Sequence, residues 1–320
     1  MSAMLASSFS TSGRTSLVSV DMANQPHSVI RHELSASVGH GPELAVVVLS
    51  YKCRPSLVSA VRSICEQDEP AEVVVVNSGG GEASEHLSAA GLTVTVIERE
   101  ERLYPGGARN LGIAATTAPY VAFLADDCEA QPGWVRARRD AHRRGEAAVA
   151  SALLCDAPAN PVALAGHLSL FVRRMPGIDP ALALNYGASY DRRLFERYAL
   201  FRDDIESGED TEFHQRLAEA DKPAWHPEIR SSHKGPATVA FFLRDQFERG
   251  RRTAHAWFAI NGLRRDQVAI NIVKRIGFIL RQSPRVAEPR DRIATFLALP
   301  LIALGGCVYA LGALSAYTRK

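Results

Sequence analysis

Two adjacent carboxylates, Asp126 and Asp127, are the side chains whose type and position point most directly to chemistry. They follow residues 120–124, an apolar run without alternation that predicts a strand covered on both faces of a mostly parallel sheet. Because ligands bind at the carboxyl ends of strands in open α/β sheets, we expect the pair at a binding edge. Adjacent carboxylates repel each other, and a divalent cation relieves that repulsion. The pair therefore indicates a metal site, and a solvated acidic turn is the alternative.

A second acidic pair, Glu209 and Asp210, opens a predicted helix that carries Phe213 and Leu217. Carboxylates near a helix N-terminus interact favourably with the helix dipole, by about 0.3–1 kcal/mol each. The residues alone leave this structural role and a chemical role both open.

The elements that must position these pairs begin near residue 43. Three apolar runs predict buried strands, and two segments between them predict helices. This β-α-β-α-β order predicts a parallel sheet with right-handed crossovers. The strands are expected at residues 43–51, 71–77 and 92–98, and the helices at residues 56–67 and 84–90.

The second predicted strand runs into a glycine-rich loop at residues 78–81, which suggests a nucleotide site. It is not a Walker loop, because no Gly-Lys-Ser/Thr sequence follows it. It is not the dinucleotide fingerprint either, because its glycines open no long helix at the required spacing.

Two further segments show no evident chemistry. The basic run at residues 136–144 is typical of a solvated helix face. Residues 156–179 are rich in proline, and we expect them to be irregular and to cover the acceptor side of the site.

The order of the motifs resembles that of family 2 glycosyltransferases with the GT-A fold. Ala-Arg109-Asn110-x-Gly112, a short helix, an apolar strand and an acidic stop follow each other as in the middle of those enzymes. The family's acidic stop is Asp-x-Asp, and its last Asp holds Mg²⁺ or Mn²⁺ against a nucleoside diphosphate. Here Ala125 takes the first place, and Asp127 matches the metal ligand. The resemblance covers about residues 43–255 and implies an α/β fold, with a GT-A type, mostly parallel sheet flanked by helices.

The resemblance also implies which residues bind the donor, a nucleoside diphosphate sugar. In the family the ends of the first two strands cup the nucleobase and ribose, and Asn77 stands where an Asp often reads the base. His233 matches a position after the last strand that completes the metal or diphosphate site. The implied donor contacts are Ser50, Tyr51, Asn77, Ser78, Arg109, Asn110 and Asp126, and the implied metal ligands are Asp127 and His233.

The acceptor side and the catalytic base follow from the same resemblance. In the family, Glu-Asp is followed six residues later by Arg-Leu, and the sequence from Glu209 to Leu217 fits that spacing. Asp210 matches the base that takes a proton from the acceptor hydroxyl. In the family, a stretch of small residues lets the substrate approach the backbone closely, and a helix that contains an Arg-Gly sequence packs under the site. The implied acceptor-side residues are Gly187, Ala188, Glu209 and Arg249.

The C-terminal part of the chain has the composition of a membrane anchor. Residues 293–317 are almost wholly apolar, and a helix of ~25 residues spans about 37 Å, more than a ~30 Å hydrocarbon core. Residues 244–292 contain twelve Lys or Arg against five Asp or Glu, a surplus that favours the cytoplasmic side. A re-entrant hairpin and a buried core helix are the alternatives to a single span.

Length and composition bound the organisation of the chain. Its 320 residues can hold one large α/β domain with appendages, and a net charge of +2 argues against a nucleic-acid partner. Five scattered Cys without paired spacing fit a reducing compartment. We predict a disordered extension at 1–42, a GT-A domain at 43–258, a basic interfacial segment at 259–292 and a membrane helix at 293–317.

These features predict an enzyme of the hexosyltransferase type that moves a sugar from a nucleoside diphosphate sugar to a hydroxyl acceptor. The acceptor would be a glycan or lipid-linked molecule, and transfer would occur with inversion at the cytoplasmic face of the cell membrane. Two other classes stay open. A nucleotidyltransferase would release pyrophosphate, and a non-catalytic membrane scaffold is favoured by the departures at Asn77 and Ala125.

Overall fold

The computed structural model describes residues 29–30, 41–262 and 264–316. Within them, nine strands form one sheet. The strands are β1 (Val29–Ile30), β2 (Leu44–Tyr51), β3 (Glu72–Ser78), β4 (Thr95–Arg99), β5 (Tyr120–Ala125), β6 (Cys128–Ala130), β7 (Ala148–Cys155), β8 (Ser189–Asp191) and β9 (Ala224–His233).

Helices flank the sheet and extend beyond it. The α-helices of the described residues are α1 (Leu57–Cys65), α2 (Ala83–Ala89), α3 (Pro105–Ala114), α4 (Trp134–Arg143), α5 (Pro161–Phe171), α6 (Arg193–Tyr198), α7 (Glu209–Arg216), α8 (Val239–Asn261), α9 (Arg265–Val286) and α10 (Arg292–Ser315). Short 3-10 turns lie at Val172–Arg174, Pro180–Leu182, Glu219–Asp221 and Pro289–Asp291.

The sheet is mixed, in the order β1-β4-β3-β2-β5-β8-β7-β9-β6. The predicted parallel arrangement holds for β4, β3, β2 and β5, and β7 and β9 are also parallel. Strand β8 runs against both of its neighbours, and β6 runs against β9. Strands β6 and β8 have three residues each, too few for their direction to be read from hydrophobic periodicity.

The order in which successive strands are added to the sheet reverses at β2. Strands β3 and β4 are added on one side of β2, and β5 is added on the other side. Such a reversal leaves a crevice at the carboxyl ends of the two strands that flank it. The ends of β2 and β5 are therefore where the fold itself opens a ligand site.

The segment predicted to be irregular, residues 156–179, contains helix α5. The side-chain oxygen of Asn160 caps this helix by accepting a hydrogen bond from the Val162 N–H at 2.9 Å. Pro161 takes the first helical position, where its missing N–H is not needed. Helix α5 packs against β7 and the C-terminal helices, so it lacks the one-sided apolar stripe that identifies a surface helix.

Helices α8, α9 and α10 pack together and against α5. Two glycines let α8 and α10 approach closely. A Cβ on Gly250 would lie 2.0 Å from the Tyr309 carbonyl oxygen, and one on Gly312 would lie 2.0 Å from the Phe247 carbonyl oxygen. Another face of α10 stays exposed and apolar, at Ile293, Phe296, Leu297, Leu304, Leu311 and Leu314.

In the part of the chain that the structure describes, one helical stretch is long and apolar enough to cross a membrane. This stretch is Pro289–Ser315, with a mean hydropathy of 2.1. Of its apolar 18-residue window, 33% is buried inside the protein. Length and composition alone do not separate a membrane span from a core helix of a soluble protein, so the predicted span stays a prediction.

The predicted domain boundaries also stay predictions. Most of the N-terminal segment expected to be disordered, and residue 317 at the end of the expected membrane helix, lie outside the described residues. Within that N-terminal segment, β1 pairs with β4 through Val29 and Ile30.

Candidate active site

Asp126 is the buried member of the first acidic pair. It follows β5 directly and is 4% exposed. Its carboxylate accepts hydrogen bonds from the Ser50 hydroxyl at 3.0 Å and the Tyr51 N–H at 3.4 Å. Burial raises the pKa of Asp126 above its usual value, and the charge of Asp127 adds to the shift, whereas Arg54 opposes it. The end of β5 is thus tied to the end of β2 across the crevice.

Asp127 is the more exposed member, and only long contacts surround its carboxylate. The nearest Arg54 nitrogen lies 3.5 Å away, the His233 Nε2 lies 3.8 Å away, and the Cys128 thiol donates to it at 3.6 Å. Strand register explains the proximity of His233, because Cys128 of β6 is directly paired with it. These distances leave the carboxylate oxygens accessible to a ligand.

The donor set beside Asp127 fits a divalent cation. Burial lowers the pKa of His233, which keeps its imidazole in the neutral, metal-binding form, although Asp127 opposes this shift. Its buried Nδ1 has no hydrogen-bond partner. The described residues contain no group of three or more potential ligand side chains, so a cation here would complete its shell with substrate oxygens and water. Mg²⁺ is commonly bound in this way, through one or two carboxylates and substrate phosphates.

The loops after β2 and β3 form the other side of the crevice. Asn77 is fully buried and holds these loops together, accepting from the Cys53 N–H at 3.0 Å and donating to the Gly80 carbonyl at 3.1 Å. A Cβ on Gly79 would lie 2.4 Å from the Tyr51 ring, so this glycine, at φ +79°, lets the ring lie against the loop. The Arg102 guanidinium lies 5.5 Å from the centre of that ring. Tyr51 therefore presents a fixed aromatic surface.

The second acidic pair is built around a buried arginine. Arg109 of α3 donates to the Glu209 carboxylate at 2.5 Å and lies 3.9 Å from the Asp210 carboxylate. Burial alone would lower the pKa of Arg109, but the charges of Glu209 and Asp210 raise it overall. The guanidinium also lies 5.1 Å from the ring centre of Phe201. Glu209 is thus neutralised inside the protein.

Asp210 is held by its neighbours but remains partly open. Its carboxylate accepts from the Thr211 N–H at 2.8 Å, and its side chain is 16% exposed.

Next to Arg109, the Asn110 amide donates to the Phe201 carbonyl at 2.9 Å and accepts from the Phe201 N–H at 3.1 Å. This pair of hydrogen bonds fixes α3 to the segment that leads into α7.

One cavity of about 1060 Å³ joins the two sides of the crevice. Its lining includes Tyr51 and Arg54 from the donor side and Asp210 from the second acidic pair. Arg249 of α8 also lines it, donates to Asp245 at 2.6 Å and lowers the pKa of His233 by its charge, after the larger effect of burial. The cavity therefore contains Asp210 and, through Arg54, borders the first acidic pair.

Gly187 lies against two buried arginines that sequence reasoning missed, and Ala188 is itself fully buried. Arg138 belongs to the basic run predicted to be a solvated face, but it is 1% exposed. It donates to the Val149 carbonyl at 2.8 Å and the Gly187 carbonyl at 3.3 Å, and burial lowers its pKa to about 9. A Cβ on Gly187 would lie 3.1 Å from the Arg174 guanidinium. The charge pattern of α4 contains no signal that separates Arg138 from its exposed neighbours.

The structure therefore places three of the predicted site residues in the lining of the cavity and two more close to it. Tyr51, Asp210 and Arg249 line the cavity. Asp127 lies 3.5 Å from Arg54, another lining residue, and 3.8 Å from His233. Others engage mainly in bonds within the protein, namely Ser50, Asn77, Arg109, Asn110, Asp126 and Glu209. Ser78 is buried, and its carbonyl accepts from the Lys52 N–H at 2.9 Å. The role assigned to each of them stays a prediction.

Comparisons with known proteins identify relatives of this fold. Residues 45–190 match the family model described as glycosyl transferase family 2. The solved structures that resemble this chain include the mannosyltransferase PcManGT from Pyrobaculum calidifontis in complex with GDP-Man and Mn²⁺, at 17% identity and a TM-score of 0.54. That alignment covers 87% of this chain and 88% of the other, and it shows a shared fold.

A curated relative matches a shorter segment. The succinoglycan biosynthesis protein ExoO of Rhizobium meliloti (strain 1021) is 33% identical over 98 residues. The match covers 30% of this chain and spans only 28% of that relative's length. The chain therefore has a GT-A-like fold, and its residues 45–190 match the glycosyl transferase family 2 model.

Proposed function

We propose that this protein transfers a sugar from a nucleoside diphosphate sugar to a hydroxyl group of an acceptor, a glycan or a lipid-linked molecule. One observation carries the proposal. Asp210 lines the same cavity as Tyr51 and Arg54, and Arg54 lies 3.5 Å from Asp127. A donor held at Asp127 and an acceptor next to Asp210 would then meet inside a single space.

The donor side has the chemistry that a nucleoside diphosphate needs. The Tyr51 ring offers a surface on which a nucleobase can stack. Arg54 and Arg249 supply positive charge for phosphate oxygens, and guanidinium groups bind such oxygens with paired hydrogen bonds. A divalent cation, Mg²⁺ or Mn²⁺, bound at Asp127 with His233 would stabilise the charge on the leaving diphosphate.

The acceptor side supplies the base. Asp210 takes the proton of the acceptor hydroxyl as that oxygen forms its bond to the anomeric carbon of the sugar. The bond between that carbon and the diphosphate oxygen breaks, and its electron pair leaves with the diphosphate. A single displacement of this kind inverts the anomeric centre. Arg109 and Glu209 act as positioning residues, because their ion pair holds the start of α7 in place.

The exposed face of α10 supports attachment to a membrane. Its large apolar side chains include Phe296, Leu304 and Leu311, and the preceding segment is rich in Lys and Arg, which favours the cytoplasmic side. We expect replacement of these three residues by Gln to move the protein from the membrane fraction to the soluble fraction. Full-length protein that is monodisperse without detergent would contradict membrane attachment.

The experiment that tests the proposed reaction is Asp210→Asn. This change removes the charge but keeps the shape and the acceptor for the Thr211 N–H. We expect sugar transfer to fall by roughly 10²–10⁴-fold, while donor binding and stability persist. The matched control is Asp204→Asn, which removes a surface carboxylate bonded to Arg202 and should leave transfer unchanged.

The product and the residual rate separate this proposal from its rivals. Release of pyrophosphate instead of nucleoside diphosphate would indicate a nucleotidyltransferase. Donor binding by the wild-type protein without transfer to any membrane or glycan fraction would indicate a non-catalytic scaffold. Transfer by Asp210→Asn within a few-fold of wild type would exclude Asp210 as the base.

A further inference from the structure

Two arginines on another wall of the large cavity have no role in the reaction described so far. Arg173 lies in the 3-10 turn after α5, and Arg275 lies on α9. The Arg173 Nε donates to the Leu182 carbonyl at 2.6 Å, and an Arg275 terminal nitrogen donates to the Ser169 carbonyl at 3.0 Å. A guanidinium carries five N–H donors, so each side chain is anchored by one hydrogen bond and keeps others for a ligand.

Aromatic rings hold both guanidinium groups in place. The Arg173 guanidinium lies 5.3 Å from the ring centre of Phe278, and that of Arg275 lies 5.3 Å from the ring centre of Tyr309. Cation–π contacts of this length are attractive but leave the edge of the guanidinium free. The two cations are therefore oriented before any ligand arrives.

The cavity contains other arginines, and acidic side chains neutralise several of them. Arg102 pairs with Glu206 at 3.1 Å, and Arg251 pairs with Glu248 at 2.8 Å. By contrast, Arg173 and Arg275 form no ion pair among the residues that the structure describes, and neither does their neighbour Lys274. This wall carries uncompensated positive charge.

Both arginines line the cavity that Asp210 also lines, and Arg173 lies against Phe278, which follows Arg275 by about one turn of α9. Burial lowers the pKa of Arg173, and the charge of Arg275 lowers it further. Tyr186 connects this pair with the reaction centre. Burial and the charge of Asp210 raise the pKa of Tyr186, whereas the charges of Arg275 and Arg173 lower it. Tyr186 therefore lies between the carboxylate and the two arginines electrostatically. Two like charges beside each other without a carboxylate form a site that a bound anion would stabilise.

We propose that Arg173 and Arg275 form an anion subsite beside Asp210 that binds a phosphoryl group of the acceptor. This inference rests on the proposed sugar transfer and names its acceptor as a phosphorylated molecule. Paired guanidinium groups match the oxygens of a phosphate monoester or diphosphate. With the phosphoryl group held there, a hydroxyl of the same acceptor would reach Asp210.

Two sources of acceptor carry this chemistry, a lipid-linked phosphate and a soluble sugar phosphate. Apolar residues line the cavity next to the pair, at Leu170, Leu184 and Phe278, and could contact a lipid chain. On α9, Val273 is 70% exposed directly beside Lys274. The test is therefore designed with one probe for each source.

The test compares three proteins: wild type, the double variant Arg173→Gln/Arg275→Gln, and the control Arg281→Gln. Arg281 lies on the same helix as Arg275 and is exposed outside the cavity. Calorimetric titration measures binding of decyl phosphate, glycerol 3-phosphate and the neutral decyl glucoside. Each titration is repeated with GDP or UDP and Mn²⁺ present, so that the donor site is filled.

We expect decyl phosphate to bind wild type and the control alike, and to bind the double variant about 10- to 100-fold more weakly, because charge-assisted hydrogen bonds are lost. Decyl glucoside should not distinguish the three proteins. Glycerol 3-phosphate that binds as tightly as decyl phosphate would identify the soluble source, and its failure to bind would identify the lipid. If the double variant does not fold, the single variant Arg275→Lys is used instead. It keeps the positive charge but loses the paired N–H donors of the guanidinium, and it should weaken decyl phosphate binding by a smaller factor.

Three results would overturn the inference. The first is that wild type does not bind decyl phosphate, and the second is that the double variant binds it as tightly as the control. The third is that the double variant loses nucleoside diphosphate together with decyl phosphate, because the arginines would then serve the donor. Wild type that binds decyl phosphate but no nucleoside diphosphate would contradict sugar transfer and leave the anion subsite intact.

Discussion

The molecule contains two acidic pairs that resemble each other. The first, Asp126 and Asp127, follows β5, and the second, Glu209 and Asp210, opens α7. In each pair the first side chain is the more buried. The side chains of Asp126 and Glu209 are each 6% exposed, against 30% for Asp127 and 16% for Asp210. The pairs differ in the cation that faces them. Arg54 is half exposed and lies 3.5–3.7 Å from the first pair, whereas a buried arginine of α3 bonds to the second at 2.5 Å.

Because different cations face them, the two acidic pairs suit different chemical roles although their sequences are similar. The first pair faces only a half-exposed arginine at 3.5–3.7 Å, which leaves its charge less well compensated and suits the proposed divalent cation. The second pair already has its positive charge, supplied by the protein. Its more exposed member, Asp210, is the one that we propose as the proton acceptor.

The largest effect should come from removing the cation of the second pair. We expect Arg109→Met to lower the free energy of unfolding by about 3–5 kcal/mol, because it leaves Glu209 buried without a partner. Denaturation with urea measures the change. The double variant Arg109→Met/Glu209→Gln should recover a large part of it. A loss below about 1 kcal/mol would mean that the second pair is no better compensated than the first.

The corresponding change at the first pair should cost far less. Arg54 has a side chain that is 52% exposed, so Arg54→Met should change the free energy of unfolding by about 0–1 kcal/mol. Its effect should appear instead in donor binding, as a weaker affinity for GDP or UDP. Destabilisation equal to that of Arg109→Met would remove the distinction between the two centres.

The sequence predicts the first centre better than the second. Strands β2, β3 and β5 are apolar runs with polar ends, so the place of Asp126 and Asp127 follows from local periodicity and the rules for parallel sheets. The partner of Glu209 lies 100 residues away on α3, and no local pattern connects the two. The acidic pair itself identifies Glu209 as a candidate, whereas only the resemblance points to Arg109.

Other features of the site have no local signal at all. Arg138 has the same residue type as its solvated neighbours, and only packing against β7 and β8 makes it a buried donor. Helix α5 is buried on most sides, so its periodicity does not identify a helix face. Arg173 and Arg275 are separated by about a hundred residues and line the same cavity only because α9 packs against α5 and the 3-10 turn after it.

The most direct test of the contrast between the two pairs is donor binding by Asp127→Asn and Asp210→Asn, measured by calorimetry with GDP or UDP, with Mn²⁺ or with EDTA. We expect Mn²⁺ to strengthen binding by about tenfold or more, roughly 1.4 kcal/mol, in wild type and in Asp210→Asn. Asp127→Asn should lose this gain. If Asp127→Asn keeps the gain, or if both variants lose it equally, the first pair is not the metal centre and the two pairs do not divide the chemistry.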